Sequence, residues 1–130
     1  MPELPEVETV RRTLNELVLG KTIAAIDVHW GRIIKQPDDV EQFKQALIGQ
    51  TFQTIERRGK FLLFQLDDLV LVSHLRMEGR YGLYEQGEDL TKHTHIVFRF
   101  ADGSELRYQD VRKFGTMHVL KKVKRAQCHL

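Results

Sequence analysis

Apolar and polar positions divide the chain into a helical start and a longer strand-rich remainder. Over residues 5–19, Val7, Val10, Leu14, Leu17 and Val18 recur at helical spacing and predict one amphipathic helix, with Gly20 placed to end it. Residues 21–30 predict a strand through Ile23, Ile26 and Val28, and Gly31 to Ile34 predict a turn with a short extended piece. A second helix is expected over about 39–48, capped by Asp38 or Asp39, with Val40, Phe43, Ala46, Leu47 and Ile48 inward and Gly49 after it.

From Thr51 the period shortens to that of strands. The expected strands are 51–57, 60–66, 69–75, 80–85, 93–100, 104–109 and 115–121. Phe61 to Phe64 and Leu69 to Val72 are almost wholly apolar, which predicts burial on both faces. Asp67-Asp68 and Ala101-Asp102-Gly103 read as hairpin turns. Many short strands separated by turns predict an α+β, mainly β fold: an antiparallel β-sandwich of two sheets flanked by two α-helices. Residues 1–119 are expected to form that unit. Residues 120–130, where Lys121, Lys122, Lys124 and Arg125 crowd together, are expected to be a basic C-terminal tail.

Composition narrows the classes. At 130 residues the chain suits one domain with a core of its own. No apolar run approaches the length of a membrane span, and the acidic start lacks the apolar stretch of a signal peptide, so no membrane partner and a place in the cytoplasm are expected; a monomer is expected as well. The single cysteine, Cys128, excludes an internal disulfide. Net charge is only +2, but it is unevenly spread. Residues 71–130 hold eleven Lys/Arg against seven Asp/Glu, whereas residues 1–30 hold three against five. The second half can therefore carry a phosphate-facing patch.

The richest chemistry lies in the first ten residues, Met1-Pro2-Glu3-Leu4-Pro5-Glu6-Val7-Glu8-Thr9-Val10. Proline and acids also suit the first turn of a helix, so the stretch has a purely structural reading as well. If Met1 is removed, as is usual before proline, Pro2 becomes a secondary amine able to attack a sugar C1′ or a carbonyl carbon. A terminal amine with a pKa of about 7.7–8.0 is roughly a tenth unprotonated at pH 7, far more than a lysine at about 10.4. Glu3, beside it, can move a proton. Three further stretches stand out. Glu56-Arg57-Arg58-Gly59-Lys60 is a basic turn. His74-Leu75-Arg76-Met77-Glu78-Gly79 leaves an apolar strand for a charged loop. Asp110-Val111-Arg112-Lys113-Phe114-Gly115 is a polar loop with one large aromatic. Read locally, these are a charged loop, a core-filling methionine at a strand end and a hairpin turn.

The string PELPEVETVRR, the HLRMEG block and the DVRKFG block, in this order, resemble the formamidopyrimidine-DNA glycosylases, the bacterial 8-oxoguanine repair enzymes. The related endonuclease VIII group usually has Gly where this chain has Leu4. The resemblance covers about residues 1–119. It implies a bifunctional DNA glycosylase/AP lyase in which the Pro2 amine attacks C1′ of the flipped nucleotide, Glu3 manages protons and Glu6 orients the terminus. It implies that Lys60 reaches the damaged nucleotide and its phosphates and that His74 contacts the phosphate backbone. Met77 fills the space left by the flipped nucleotide, Arg112 pairs with the orphaned cytosine, and Phe114 wedges between base pairs. The physics agrees: apolar wedges unstack and kink a duplex, and a guanidinium matches base-edge acceptors.

The implied partner is double-stranded DNA carrying oxidised purines or abasic sites. No cofactor is expected in this chain. Members of the family continue through a helix–two-turn–helix module and a four-cysteine zinc finger, and one cysteine cannot build that structural zinc site. The chain is therefore expected to be the amino-terminal half of such an enzyme. An inert fragment, or a non-catalytic DNA-binding domain of the same fold, is the alternative expectation.

Overall fold

The computed structural model describes residues 4–76, 79–85, 87–111 and 115–121, with the backbone alone for 4–6. Helix α1 spans Leu4–Val18 and helix α2 spans Val40–Leu47. Strands β1 (Ile23–Val28), β2 (Ile34–Gln36), β3 (Thr54–Arg58), β4 (Phe61–Gln65), β5 (Leu69–His74), β6 (Arg80–Glu85), β7 (Thr94–Phe100), β8 (Ser104–Gln109) and β9 (Thr116–Lys121) make two sheets. One has the order β1-β7-β8-β6, the other β2-β9-β5-β4-β3.

Every pairing is antiparallel except that of β2 with β9, which is parallel. The exception has a topological reason. β2 comes early in the chain and its partner β9 last among the strands, so no hairpin joins them and no tight turn dictates their relative direction. The expected turns close three hairpins. Gly59 joins β3 to β4 at φ 60°, Asp67-Asp68 joins β4 to β5, and Gly103 joins β7 to β8 at φ 93°.

The sheets face each other across one apolar core. Ile26, Ile96, Phe98, Leu106 and Tyr108 come from the first, and Ile55, Leu62, Phe64, Leu71 and Met117 from the second. Phe52 bridges them, its ring 5.5 Å from Phe64 and 5.7 Å from Phe100. α1 buries Val7, Leu14 and Val18 and packs on β3 and β4; α2 buries Phe43 and Leu47 and packs on β1 and β2. Asp39, not Asp38, caps α2, its carboxylate accepting from the amides of Glu41 and Gln42.

Three expectations are corrected. Leu17 and Ile48, assigned to the apolar stripes, are exposed. Leu17 sits one position from the inward Val18 and so turns past the edge of the contact, and Ile48 falls beyond the last turn of α2. β4 is not buried on both faces: Leu62 and Phe64 point inward while Leu63 is half-buried and Phe61 is 41% exposed. β5 likewise buries Leu71 fully and leaves Leu69, Val70 and Val72 half-buried.

Candidate nucleic-acid interface

The register of the five-stranded sheet decides what meets at its end. His74, the last residue of β5, lies opposite Thr116 at the start of β9 and opposite Phe61 at the start of β4. One end of the sheet therefore gathers the Gly59-Lys60 turn, the chain leaving His74, and the chain arriving at Gly115. These are three of the stretches singled out from the sequence.

Helix α1 is tied to the same end. The side chain of Asn15 pairs with both backbone groups of Ile55, its Nδ2 donating to the carbonyl and its Oδ1 accepting from the amide, each at 2.8 Å. This closes part of the open edge of β3. Two turns earlier on the helix, Glu8 accepts from the Arg57 Nε at 3.0 Å, and the Arg57 Nη1 donates to the Gly59 carbonyl at 3.0 Å. Going from Asn15 to Glu8 thus runs from Ile55 to Arg57, so the amino-terminal end of α1 points along β3 toward the Lys60 turn. Glu8 also accepts from Arg11 and Arg12. Hydrogen bonds from Arg11 and then Arg57 hold its carboxyl down at a pKa of about 2.

His74 is buried against its neighbours. The Phe61 ring meets it edge-on at 4.7 Å, and its Nδ1 accepts the Arg76 amide at 3.1 Å. That bond places the imidazole proton on Nε2, leaving an N–H donor. Burial pushes its pKa down, and the charges of Arg76 and Lys60 push the same way, so the ring is neutral near pH 7. Arg76 holds φ 58°, a left-handed conformation uncommon outside glycine, and the chain turns sharply there.

Behind the loops lies a buried polar pair that sequence patterning did not single out. Tyr108 donates to the Asp110 Oδ2 at 2.8 Å, and the amide of Gly115 donates to the same oxygen at 2.8 Å. Beside it, Arg80, Thr91, His93, Gln109, Asp110 and Val111 line a pocket of about 200 Å³. Asp110 heads the DVRKFG block, but nothing in the sequence joins it to Tyr108 beyond a spacing of two residues. The pocket's residues are scattered over three segments and had no signal.

The chain matches the formamidopyrimidine-DNA glycosylase N-terminal domain over residues 1–117. It belongs to that family. A formamidopyrimidine-DNA glycosylase of Halalkalibacterium halodurans is 72% identical over 119 residues, covering 92% of this chain and 43% of that protein. One of Bacillus subtilis is 61% identical over 121 residues, covering 93% and 44%. Among solved structures, a complex of the Lactococcus lactis enzyme with abasic-site DNA matches at TM-score 0.88 and 45% identity, over 93% of this chain and 45% of that one. A complex of the same enzyme with a Fapy-dG DNA matches at TM-score 0.87 and 45% identity, over 92% and 44%. The chain thus spans less than half the length of these relatives.

Of the residues the glycosylase resemblance points to, the structure brings Lys60 and His74 together, close enough for the lysine's charge to weigh on the imidazole. Pro2, Glu3, Met77, Arg112 and Phe114, and the side chain of Glu6, lie outside the described residues, as do 122–130 of the basic tail. What the structure fixes is their flanks: α1, Leu75 to Arg76, Gly79, Asp110 to Val111 and Gly115. Among the described residues no group of three or more His, Cys, Asp or Glu could hold a metal ion, and no helix is long and apolar enough to cross a membrane.

Proposed function

We propose that this chain is the N-terminal catalytic domain of a bifunctional DNA glycosylase/AP lyase acting on oxidised purines such as 8-oxoguanine and formamidopyrimidines. One observation carries the reading. The amino-terminal end of α1, the Lys60 turn, His74 and the flanks of both the 75–79 and 110–115 segments meet at one end of a single sheet. A nucleophile at the helix start, phosphate ligands and wedge-bearing loops need that convergence, because a base must leave the stack before its C1′ can be attacked. The abasic-site and Fapy-dG DNA in the structures of the Lactococcus lactis relative name the same substrate class.

In this reading the Pro2 amine, freed of Met1, attacks C1′ and the C1′–N9 bond breaks. The departing base takes a proton, with Glu3 as the donor. The proline nitrogen gives up its proton, the C1′–O4′ bond breaks with O4′ taking a proton as the sugar ring opens, and the nitrogen lone pair completes an iminium. Loss of the C2′ proton then expels the 3′ phosphate, and a second elimination expels the 5′ phosphate. Glu6 orients the terminus. Lys60, and His74 through its Nε2–H, hold backbone phosphates. Met77, Arg112 and Phe114 occupy the space vacated by the flipped nucleotide. Since substrate chromosomes are cytoplasmic in bacteria, the protein works there.

Borohydride reduction in the presence of abasic-site DNA tests the proposal, with intact mass establishing whether residue 1 is gone. An abasic site already presents an aldehyde, so no base need be expelled. The chain lacking Met1 should be trapped covalently through residue 2. The chain retaining Met1 should not be trapped. Equal trapping of both forms would move the nucleophile to a lysine, Lys60 first. No trapping of the unblocked form would leave a non-catalytic DNA-binding domain.

A further inference from the structure

The ring of Tyr108 is core, but its hydroxyl is not needed for packing. Tyr108 lies opposite Tyr81 across β8 and β6, with ring centroids 5.2 Å apart, and has no exposed surface. A phenylalanine would fill the same space. The hydroxyl instead leaves the core where two loop ends close over it. A Cβ built on Gly115 would lie 1.7 Å from the Tyr108 oxygen, and one built on Gly79 would lie 2.7 Å from it. At Gly115 the tyrosine alone excludes a side chain; at Gly79 it does so together with the Leu75 backbone, whose carbonyl oxygen would lie 2.6 Å from the same Cβ. The hydroxyl donates to the Asp110 carboxylate, which also holds the Gly115 amide. Asp110 is itself fixed from behind. It is 1% exposed, its amide donates to the His93 carbonyl at 3.0 Å, and its carbonyl lies 2.6 Å from the His95 Nε2. On the other side the Gly79 amide donates to the Leu75 carbonyl at 2.9 Å.

We infer that Tyr108 and Asp110 are a positioning pair that sets the spacing between the 75–79 and 110–115 segments. The pair thereby sets how far the residues those segments carry reach into a DNA duplex: Met77 on one, Arg112 and Phe114 on the other. The second clause rests on the glycosylase reading; the coupling of the two segments does not. One oxygen atom sits against the closing glycine of each segment. Removing it takes one contact from each, although they are far apart in sequence and share no hydrogen bond among the described residues; the Gly79 amide stays on the Leu75 carbonyl. A merely structural tyrosine would transmit nothing between them.

The test uses the 130-residue chain with Tyr108→Phe and Asp110→Asn. In Tyr108→Phe the amide resonances of both Gly79 and Gly115 should shift, and the Gly115 amide should exchange with solvent about tenfold faster. The Ile55 amide, held by Asn15 at the far end of the helix contact, should not move. Affinity for a duplex carrying a tetrahydrofuran abasic analogue should fall about tenfold while the fold is kept, the lost buried hydrogen bond lowering the melting temperature by only a few degrees. Asp110→Asn should give the same pattern, more strongly at Gly115. If Tyr108→Phe shifts Gly115 and leaves Gly79 unmoved, the pair does not couple the segments and the inference is overturned. If both move and duplex affinity is unchanged, the positioning role is overturned. A wild-type chain that neither binds nor traps abasic DNA would overturn the glycosylase reading alone, because the resonances still decide the coupling.

Discussion

Two arginine–glutamate systems in this molecule use the same chemistry for different ends. On the outer face of the four-stranded sheet, Asp27, Arg99, Glu105 and Arg107 form a ladder across β1, β7 and β8. Arg99 bonds Asp27 and Glu105 at 2.5 Å, and Glu105 bonds Arg107 at 2.9 Å. Glu105 and Arg107 are each 2% exposed, and Arg107 also donates to the carbonyls of Glu88 and Asp89 and lies over the Tyr84 ring. That ladder fastens the 88–89 loop to the sheet. At the edge of the other sheet, Glu8 gathers Arg11, Arg12 and Arg57 in contact with water and joins a helix to a turn. The buried system holds the fold. The exposed one contributes little to stability and aligns the elements that carry the proposed nucleophile and Lys60. Burial, rather than the identity of the residues, determines which role an ion pair takes.

The largest effect should come from the buried ladder. Glu105→Gln leaves the Arg107 guanidinium inside the protein without its carboxylate, which costs about 3 kcal/mol or more. Thermal unfolding should show a fall in melting temperature of about 10 °C. A fall of only a degree or two would mean that the backbone carbonyls and Tyr84 suffice for Arg107, and the contrast between the systems would collapse.

Much of this was legible in the sequence where local chemistry decides local structure. The first helix, expected over 5–19 and found over 4–18, a cap at Asp38 or Asp39, and the turns at Gly59, Asp67-Asp68 and Gly103 follow from residue type and position alone. The convergence of the Lys60 and His74 stretches was expected from the resemblance, and the strand register supplies its physical basis. What escaped was decided by partners distant in sequence. Phe61 looked like core because its neighbours are apolar, but at the sheet's end it stacks on His74 instead. Glu105 and Arg107 carry no apolar signal of burial; their burial comes with partners the sequence does not pair with them, Arg99 on the next strand and the carbonyls of Glu88 and Asp89. The use of Asn15 against the β3 edge depends on a strand forty positions away, which no local pattern in the helix signals. The parallel pairing of β2 has no local signature either, since three residues carry too little pattern to set a direction.

A second experiment sharpens the comparison from the other side. Arg57→Gln breaks the link from Glu8 to the Gly59 carbonyl while leaving Arg11 and Arg12 on Glu8. Stability should fall by no more than about 1 kcal/mol. Borohydride trapping of abasic DNA should slow by roughly tenfold, because a small misalignment of helix start and Lys60 turn is amplified in the rate. A variant that melts markedly earlier yet traps at the wild-type rate would reverse the assignment, making the clamp a stabiliser and not an aligner.

The smallest effect separates the two systems by pH. Glu8 titrates at about 2 in the folded protein against an ordinary 4.5, because Arg11 and Arg57 hydrogen-bond its charged form. A depressed folded pKa means that the unfolded chain takes up the proton first. The contribution of Glu8 to stability is therefore complete above about pH 4.5 and is lost as the pH falls toward about 2. The imidazole of His74 follows the same sign at higher pH. Its lowered pKa makes its contribution complete above its ordinary 6.5 and lets it decline below that. Melting curves of wild type and Glu8→Gln recorded across this range should differ at pH 6 and converge as the pH approaches 2. The His74→Gln difference should already be shrinking as the pH falls below 6.5. If the Glu8→Gln difference persists undiminished at the acid end, the carboxylate's charge is not what the three arginines hold, and the clamp works through packing of their side chains instead.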